Sequence, residues 1–132
     1  MIVSHPVQAG RRTILIAEDN EDCRVLQACV TRRLGYAVIE VDNGVSAVDE
    51  ATASLPDLIL MDLNMPGMTG DEATVRLKAQ PRTREIPVII CTASNPGAKV
   101  NRAVAAGAAE ILYKPFTFSD LENLLRKYVR IQ

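Results

Sequence analysis

The 132-residue sequence has no charge surplus of either sign, no membrane-length apolar run and no cysteine framework. Fifteen Lys and Arg residues face sixteen Asp and Glu residues, a net charge of −1. That balance argues against a general nucleic-acid binder, which carries a basic surplus. No apolar run approaches the ~20 residues of a membrane-spanning helix. Met1 to Gly10 lacks the charged-then-apolar layout of a signal peptide, so a cytoplasmic protein with no direct nucleic-acid or membrane partner is expected. Cys23, Cys29 and Cys91 are odd in number and have no metal-ligand spacing, and they read as buried or idle reduced thiols. Repeats, low-complexity tracts and internal linkers are also missing. The length fits one domain, residues 12–132, with a mobile tail expected over residues 1–11.

What the sequence does contain is an apolar run that stops at one acid. Leu58-Ile59-Leu60-Met61-Asp62 reads as a buried strand, and Pro66, Gly67 and Gly70 mark the loop where it ends. Four further runs behave as short strands: Thr13 to Ala17, Tyr36 to Val41, Pro87 to Thr92 and Ile111 to Tyr113. Helical patterns separate them. The first runs to about Leu34, with Leu26, Val30 and Leu34 expected on its inner face and Val25 and Cys29 beside them. Others cover Val45 to Ala53, Asp71 to Ala79 and Lys99 to Ala106, the last closed by Gly107. The final helix is expected to open on a capping box of Ser119 and Glu122 and to bury Leu121, Leu124, Leu125 and Tyr128. Five strands alternating with five helices predict an α/β chain, (βα)5, with a parallel sheet covered on both faces. The flavodoxin-like strand order 2-1-3-4-5 is expected.

Parallel strands carry every strand end to one rim, where ligands of such sheets bind. That rim would gather Glu18 and Asp19 after strand one, Asp62 after strand three, Thr92 after strand four and Lys114 after strand five. Two unit charges ~4–5 Å apart at an effective dielectric of ~20 repel by roughly 3–4 kcal/mol, so three neighbouring carboxylates need a counter-charge. Hard oxygens on loop ends suit Mg²⁺, with Asp19 a direct ligand and Glu18 a water-mediated one, and Lys114 adds a fixed positive charge. Such a set is a poor acid/base pair but a good phosphate receptor. A carboxylate such as Asp62 can be the nucleophile that forms an aspartyl-phosphate, with Thr92 donating to a phosphoryl oxygen. Taken singly, Asp62 fits a turn or cap residue, Thr92 a loop cap and Lys114 a solvated lysine. Only their convergence favours chemistry.

These pieces, in order and each at a strand end, resemble the receiver domain of two-component response regulators over about Arg12 to Arg130. The residues that carry the resemblance are Glu18-Asp19, Asp62 with the loop to Gly70, Thr92-Ala93 and Lys114-Pro115-Phe116. The resemblance implies a phosphorylation-switched regulator rather than an enzyme, with Asp62 taking a phosphoryl group from a histidine kinase or histidine phosphotransfer protein. It implies Mg²⁺ held by Asp19, Asp62 and the Asn64 carbonyl. It also implies a cis bond between Lys114 and Pro115 that aims the lysine at the pocket. Asn64 and Ser94 would lie along the path of the hydrolysing water, with Ala93 next to Thr92. One position departs from the family pattern: three residues before the lysine, where many receivers have an aromatic switch, stands Ile111. Output would then travel through the Thr92–Gly97 loop and the helix after it. A downstream protein is expected on the face of the fourth helix, fifth strand and fifth helix, near Ala103, Ile111 and Tyr113. Two other readings stay open: a Mg²⁺-dependent phosphohydrolase with an aspartyl nucleophile, against which Asn64 stands where a second acid belongs, and a phosphate-blind interaction domain. The chain reads as a stand-alone regulator or relay, or as a receiver cut from a hybrid kinase or larger regulator.

Overall fold

A computed structural model of the chain describes residues 11–93 and 97–130. The expected tail, save Arg11, and Ser94 lie outside the described residues. Ten elements alternate as expected: β1 (Thr13–Ala17), α1 (Glu21–Arg33), β2 (Ala37–Val41), α2 (Gly44–Ser54), β3 (Leu58–Asp62), α3 (Gly70–Ala79), β4 (Val88–Thr92), α4 (Ala98–Ala106), β5 (Glu110–Tyr113) and α5 (Phe118–Tyr128). The sheet order is β2-β1-β3-β4-β5 and every pair is parallel.

The central strands β3 and β4 are buried along their whole length, as is all of β1 after Thr13, whereas the edge strands β2 and β5 are only half covered. Alternate side chains feed two separate cores. Leu15, Ile59, Met61 and Ile90 pack against Ala47 and Ala51 of α2, Ala73 and Leu77 of α3, and Val100 and Ala103 of α4. Ile14, Ile16, Leu58, Leu60 and Ile89 pack against Ala28 of α1 and Leu121, Leu124 and Leu125 of α5. Burial of the Leu, Ile, Met and Val side chains among them contributes roughly 1.5–3 kcal/mol each before entropy is counted, so the strand ends sit on a packed base.

Two helix details differ from expectation. The inner face of α1 is Gln27, Ala28 and Thr31, with Val30 and Leu34 packed beside it, while Leu26 is 65% exposed and Val25 51%. Ala28 and Thr31 are small enough for close approach to the sheet. The Thr31 hydroxyl is satisfied by donating to the Gln27 carbonyl at 2.7 Å, so its polarity is no obstacle to burial. The last helix opens two residues earlier than expected, on a capping box of Thr117 and Asp120 rather than Ser119 and Glu122. The sequence holds both frames in tandem. The upstream one closes first, with the Asp120 N–H donating to Thr117 Oγ1 at 3.0 Å and the Thr117 N–H to Asp120 Oδ2 at 2.9 Å. Glu122 instead pairs with Arg126 at 3.0 Å. Of the cysteines, Cys91 is buried, Cys23 half-buried and Cys29 exposed. Among the described residues no helix is long and apolar enough to cross a membrane.

Candidate functional site

The register explains why the acids meet. Ala17 of β1 pairs with Met61 of β3, so the next residues, Glu18 and Asp62, leave the sheet side by side. The Glu18 N–H donates to the Val41 carbonyl at 3.0 Å, extending β1 by one residue. The chain then turns at Asn20, whose Oδ1 caps α1 by accepting from the Cys23 N–H at 2.9 Å. Asp19 is thereby held out on the turn and exposed, whereas Glu18 is 2% exposed and Asp62 6%. Oxygen atoms of Glu18, Asp19 and Asp62 lie within 4.8 Å of one another.

The loop after Asp62 is pinned at its far end. The Gly70 N–H donates to the Leu63 carbonyl at 2.9 Å, and any side chain at Gly70 would collide with the carbonyl oxygen of Asp62. Gly67 turns the loop with φ +72°, in the left-handed region that favours glycine. Asn64 is exposed at the mouth, where its Oδ1 accepts from Lys99 Nζ at 3.4 Å.

Lys114 arrives from the opposite side. Its N–H donates to the Thr92 carbonyl at 2.8 Å, and the Lys114–Pro115 bond is cis. The ammonium donates to Glu18 Oε1 at 2.5 Å and stands 3.8 Å from Asp62 Oδ1. Burial works against this charge, but Glu18 and Asp62 outweigh it and raise the lysine pKa above its ordinary value. The Asp62 pKa is raised as well, which for a carboxyl favours the neutral form. Burial first, then the Glu18 charge, push it up to about 7, with Lys114 and the Asn64 backbone opposing. Thr92 is fully buried at the end of β4, and Ala93 is exposed beside it. Ile111 is half-buried on the core beneath α4, and it packs on the sheet rather than on the acids. Cys91, next to Asp62 in register, is fully buried with its thiol pushed up to about 12, which keeps it protonated.

The structure thus brings together Glu18, Asp19, Asp62 and Lys114, with Asn64 and Thr92 on the same rim. Three carboxylates and one lysine leave a deficit of positive charge. The donor set is all hard oxygen on three loop ends, which suits a divalent cation such as Mg²⁺.

Three features escaped the sequence reading. Arg24 donates to the Glu18 carbonyl at 3.1 Å and lies 3.5 Å from Glu40, bracing the turn that carries the acid pair. Its signal was Glu40 itself, an acid inside an otherwise apolar strand, in register with Ile16. Lys99 reaches Asn64 only because α4 packs beside the β3–α3 loop, which no local pattern encodes. The third is an apolar cavity of about 600 Å³ beside Lys114, walled by Leu26, Val30, Ala93, Pro115, Phe116 and Phe118. Leu26 was expected inside and instead forms its rim.

Known proteins share this fold. Residues 14–126 match the family described as the response regulator receiver domain. Sporulation initiation phosphotransferase F of Bacillus subtilis is 33% identical over 119 residues, covering 90% of this chain and 94% of that protein. The phosphate regulon transcriptional regulatory protein PhoB of Escherichia coli is 32% identical across 90% of this chain, which spans only 52% of its length. Among solved structures, the receiver domain of the sensor histidine kinase PA1611 of Pseudomonas aeruginosa superposes with a TM-score of 0.84 at 33% identity, covering 89% of this chain and 97% of that one. That structure has a magnesium ion coordinated in its active-site cleft. The chemotaxis protein CheY4 of Vibrio cholerae also gives a TM-score of 0.84, at 27% identity over 90% of this chain and 99% of its own. The sheet order, the acid-lined rim and the match across residues 14–126 agree: this chain belongs to the receiver domain family of two-component response regulators.

Proposed function

We propose that Asp62 accepts a phosphoryl group from a phosphohistidine on a histidine kinase or histidine phosphotransfer protein. The observation that carries this reading is the convergence of Glu18, Asp19 and Asp62 within 4.8 Å, with the Lys114 ammonium 3.8 Å from the nucleophile. An oxygen of the Asp62 carboxylate attacks phosphorus, the P–N bond breaks, and its electron pair returns to the imidazole. The product is an acyl phosphate. Asp19, Asp62 and the Asn64 carbonyl would hold Mg²⁺, with Glu18 acting through water. The ion would neutralise charge on the phosphoryl oxygens. The protein's own share is positional. Lys114 leaves Glu18 for a phosphoryl oxygen, the Thr92 hydroxyl donates to another, and the Asp62 backbone is held still by Gly70. Asn64 and Ala93 line the approach of a hydrolysing water, and Ser94 is assigned there by the family pattern alone.

The apolar cavity beside Lys114 supports a macromolecular donor, since its Leu26 and Phe118 walls are exposed large side chains within reach of the same lysine. A downstream protein is proposed for the α4–β5–α5 face. Its composition needs one correction: Ala103 is fully buried, so the exposed apolar groups there are Val104, 52% exposed, and Tyr113, 43% exposed. The phosphohydrolase reading is weaker, because Asn64 cannot act as a general acid. Exposure of the chain to a small phosphodonor with Mg²⁺, followed by intact mass, tests the reading. A gain of one phosphoryl group that disappears in Asp62→Asn or without metal is expected. Retention of the gain in Asp62→Asn contradicts it.

A further inference from the structure

One ion pair outside the site ties the segment that follows Asp62 to α4. Asp71, in the first turn of α3, is completely buried, and its Oδ2 accepts from Arg102 Nη1 of α4 at 2.5 Å. Its other oxygen, Oδ1, is buried without a hydrogen-bond partner among the described residues. Arg102 itself is half exposed, so the charge that neutralises a fully enclosed carboxylate is delivered from the surface by a neighbouring helix.

Both ends of this pair matter for Asp62. Asp71 follows Gly70, which is wedged against the Asp62 carbonyl, bonded to Leu63 and fixed again by the Thr74 hydroxyl at 2.7 Å. Asp71 is therefore tied closely to the backbone that carries Asp62. Arg102 belongs to a nine-residue helix that buries only Val100 and Ala103, so α4 has a thin apolar attachment of its own. Lys99, one turn earlier on the same side of α4, touches Asn64 at the mouth of the site. Two cations of α4 thus grip the segment that leaves β3, one weakly at the surface and one on a buried acid.

We propose that the Asp71–Arg102 pair is a latch that holds α4 in its seat in the unphosphorylated chain and sets how readily phosphorylation of Asp62 moves that helix. The proposal rests on the phosphoacceptor reading above and adds its regulation. Displacement of α4 separates the Asp71 carboxylate from the Arg102 charge, its one ion-pair partner among the described residues, which disfavours the displaced arrangement. Phosphorylation must outweigh that penalty. By reciprocity, weakening the latch makes the phosphorylated state easier to reach. With Ile111 in place of an aromatic, α4 is the element left to report on the site.

The test compares wild type, Arg102→Met, Asp71→Asn and the double variant for Mg²⁺-dependent binding of beryllofluoride, a phosphoryl mimic that bonds to a carboxylate. Hydrogen exchange of α4 amides is followed in parallel. The latch predicts about five- to tenfold tighter binding in each single variant, no further gain in the double variant, and faster α4 exchange in both singles. Arg102→Lys, which keeps the charge but not the fork, should fall between, and it serves if Arg102→Met does not fold. Unchanged or weaker binding in variants whose wild-type parent binds the mimic overturns the latch alone. A wild-type chain that does not bind it overturns the phosphoacceptor reading and the latch with it.

Discussion

The Lys114 ammonium lies 2.5 Å from Glu18 and 3.8 Å from Asp62. The lysine is thus held by Glu18, with Asp62, the proposed nucleophile, just beyond hydrogen-bond range. Turning it toward a phosphoryl oxygen needs a short movement of one flexible side chain and none of the backbone, because the N–H of Lys114 stays on the Thr92 carbonyl.

Lys114→Met leaves two buried acids without their shared cation. Phosphoryl uptake should fall by about 10²-fold, the cost of losing one preorganised donor. Metal-free stability at pH 8 should fall by roughly 3 kcal/mol, as when one partner of a buried pair is removed. Single-turnover labelling and denaturant titration read the two effects separately.

The raised pKa of Asp62 predicts an unusual pH dependence. Because folding raises this carboxyl from 3.8 to about 7, the folded state binds the proton more tightly than the unfolded one. Its contribution is complete below about pH 4 and is lost as pH rises through about 7. Metal-free wild type should lose stability across that window. Asp62→Asn should not, and at pH 8 it should be more stable than wild type by on the order of 2 kcal/mol. Urea titrations at several pH values decide it.

Mg²⁺ should reverse the penalty. A cation that binds only the folded chain stabilises it by about 2.7 kcal/mol at a concentration 100 times its dissociation constant. Thermal unfolding with and without MgCl₂ should show this shift in wild type and lose most of it in Asp19→Asn. Glu18→Gln should weaken it less, in keeping with a contact through water.

Gly70→Ala should be costly for a one-carbon change, because the new methyl meets the Asp62 carbonyl, a backbone atom that cannot swing aside. A loss of about 2–3 kcal/mol is expected from such overpacking, together with reduced uptake. Ile111→Ala is the contrast. It trims a half-buried core contact at about 1–2 kcal/mol and leaves uptake largely intact, because Ile111 packs on the sheet and not on the acids.

Most of this architecture was legible in the chain. Continuous apolar runs that stop at Glu18, Asp62 and Thr92 marked the strand ends, and parallel pairing then carried Glu18 next to Asp62. Long-range packing was hidden. Leu26 and Thr31 exchange the places that hydropathy suggests, because fit against the sheet, not the apolarity of one side chain, decides which stripe of α1 turns inward. Thr117 and Ser119 both begin valid capping frames, and only the folded chain chooses between them. Arg102 meets Asp71 only because α3 and α4 pack side by side, a pairing that no local pattern encodes.

The most direct test of the central claim is chemical trapping of the phosphorylated residue. Borohydride reduces an acyl phosphate to an alcohol, so a chain labelled by a phosphodonor with Mg²⁺, reduced and digested should contain homoserine at position 62 by tandem mass spectrometry, and nowhere else. Homoserine at another aspartate, or an acid-stable phosphate on a serine or threonine with Asp62 intact, would contradict the account.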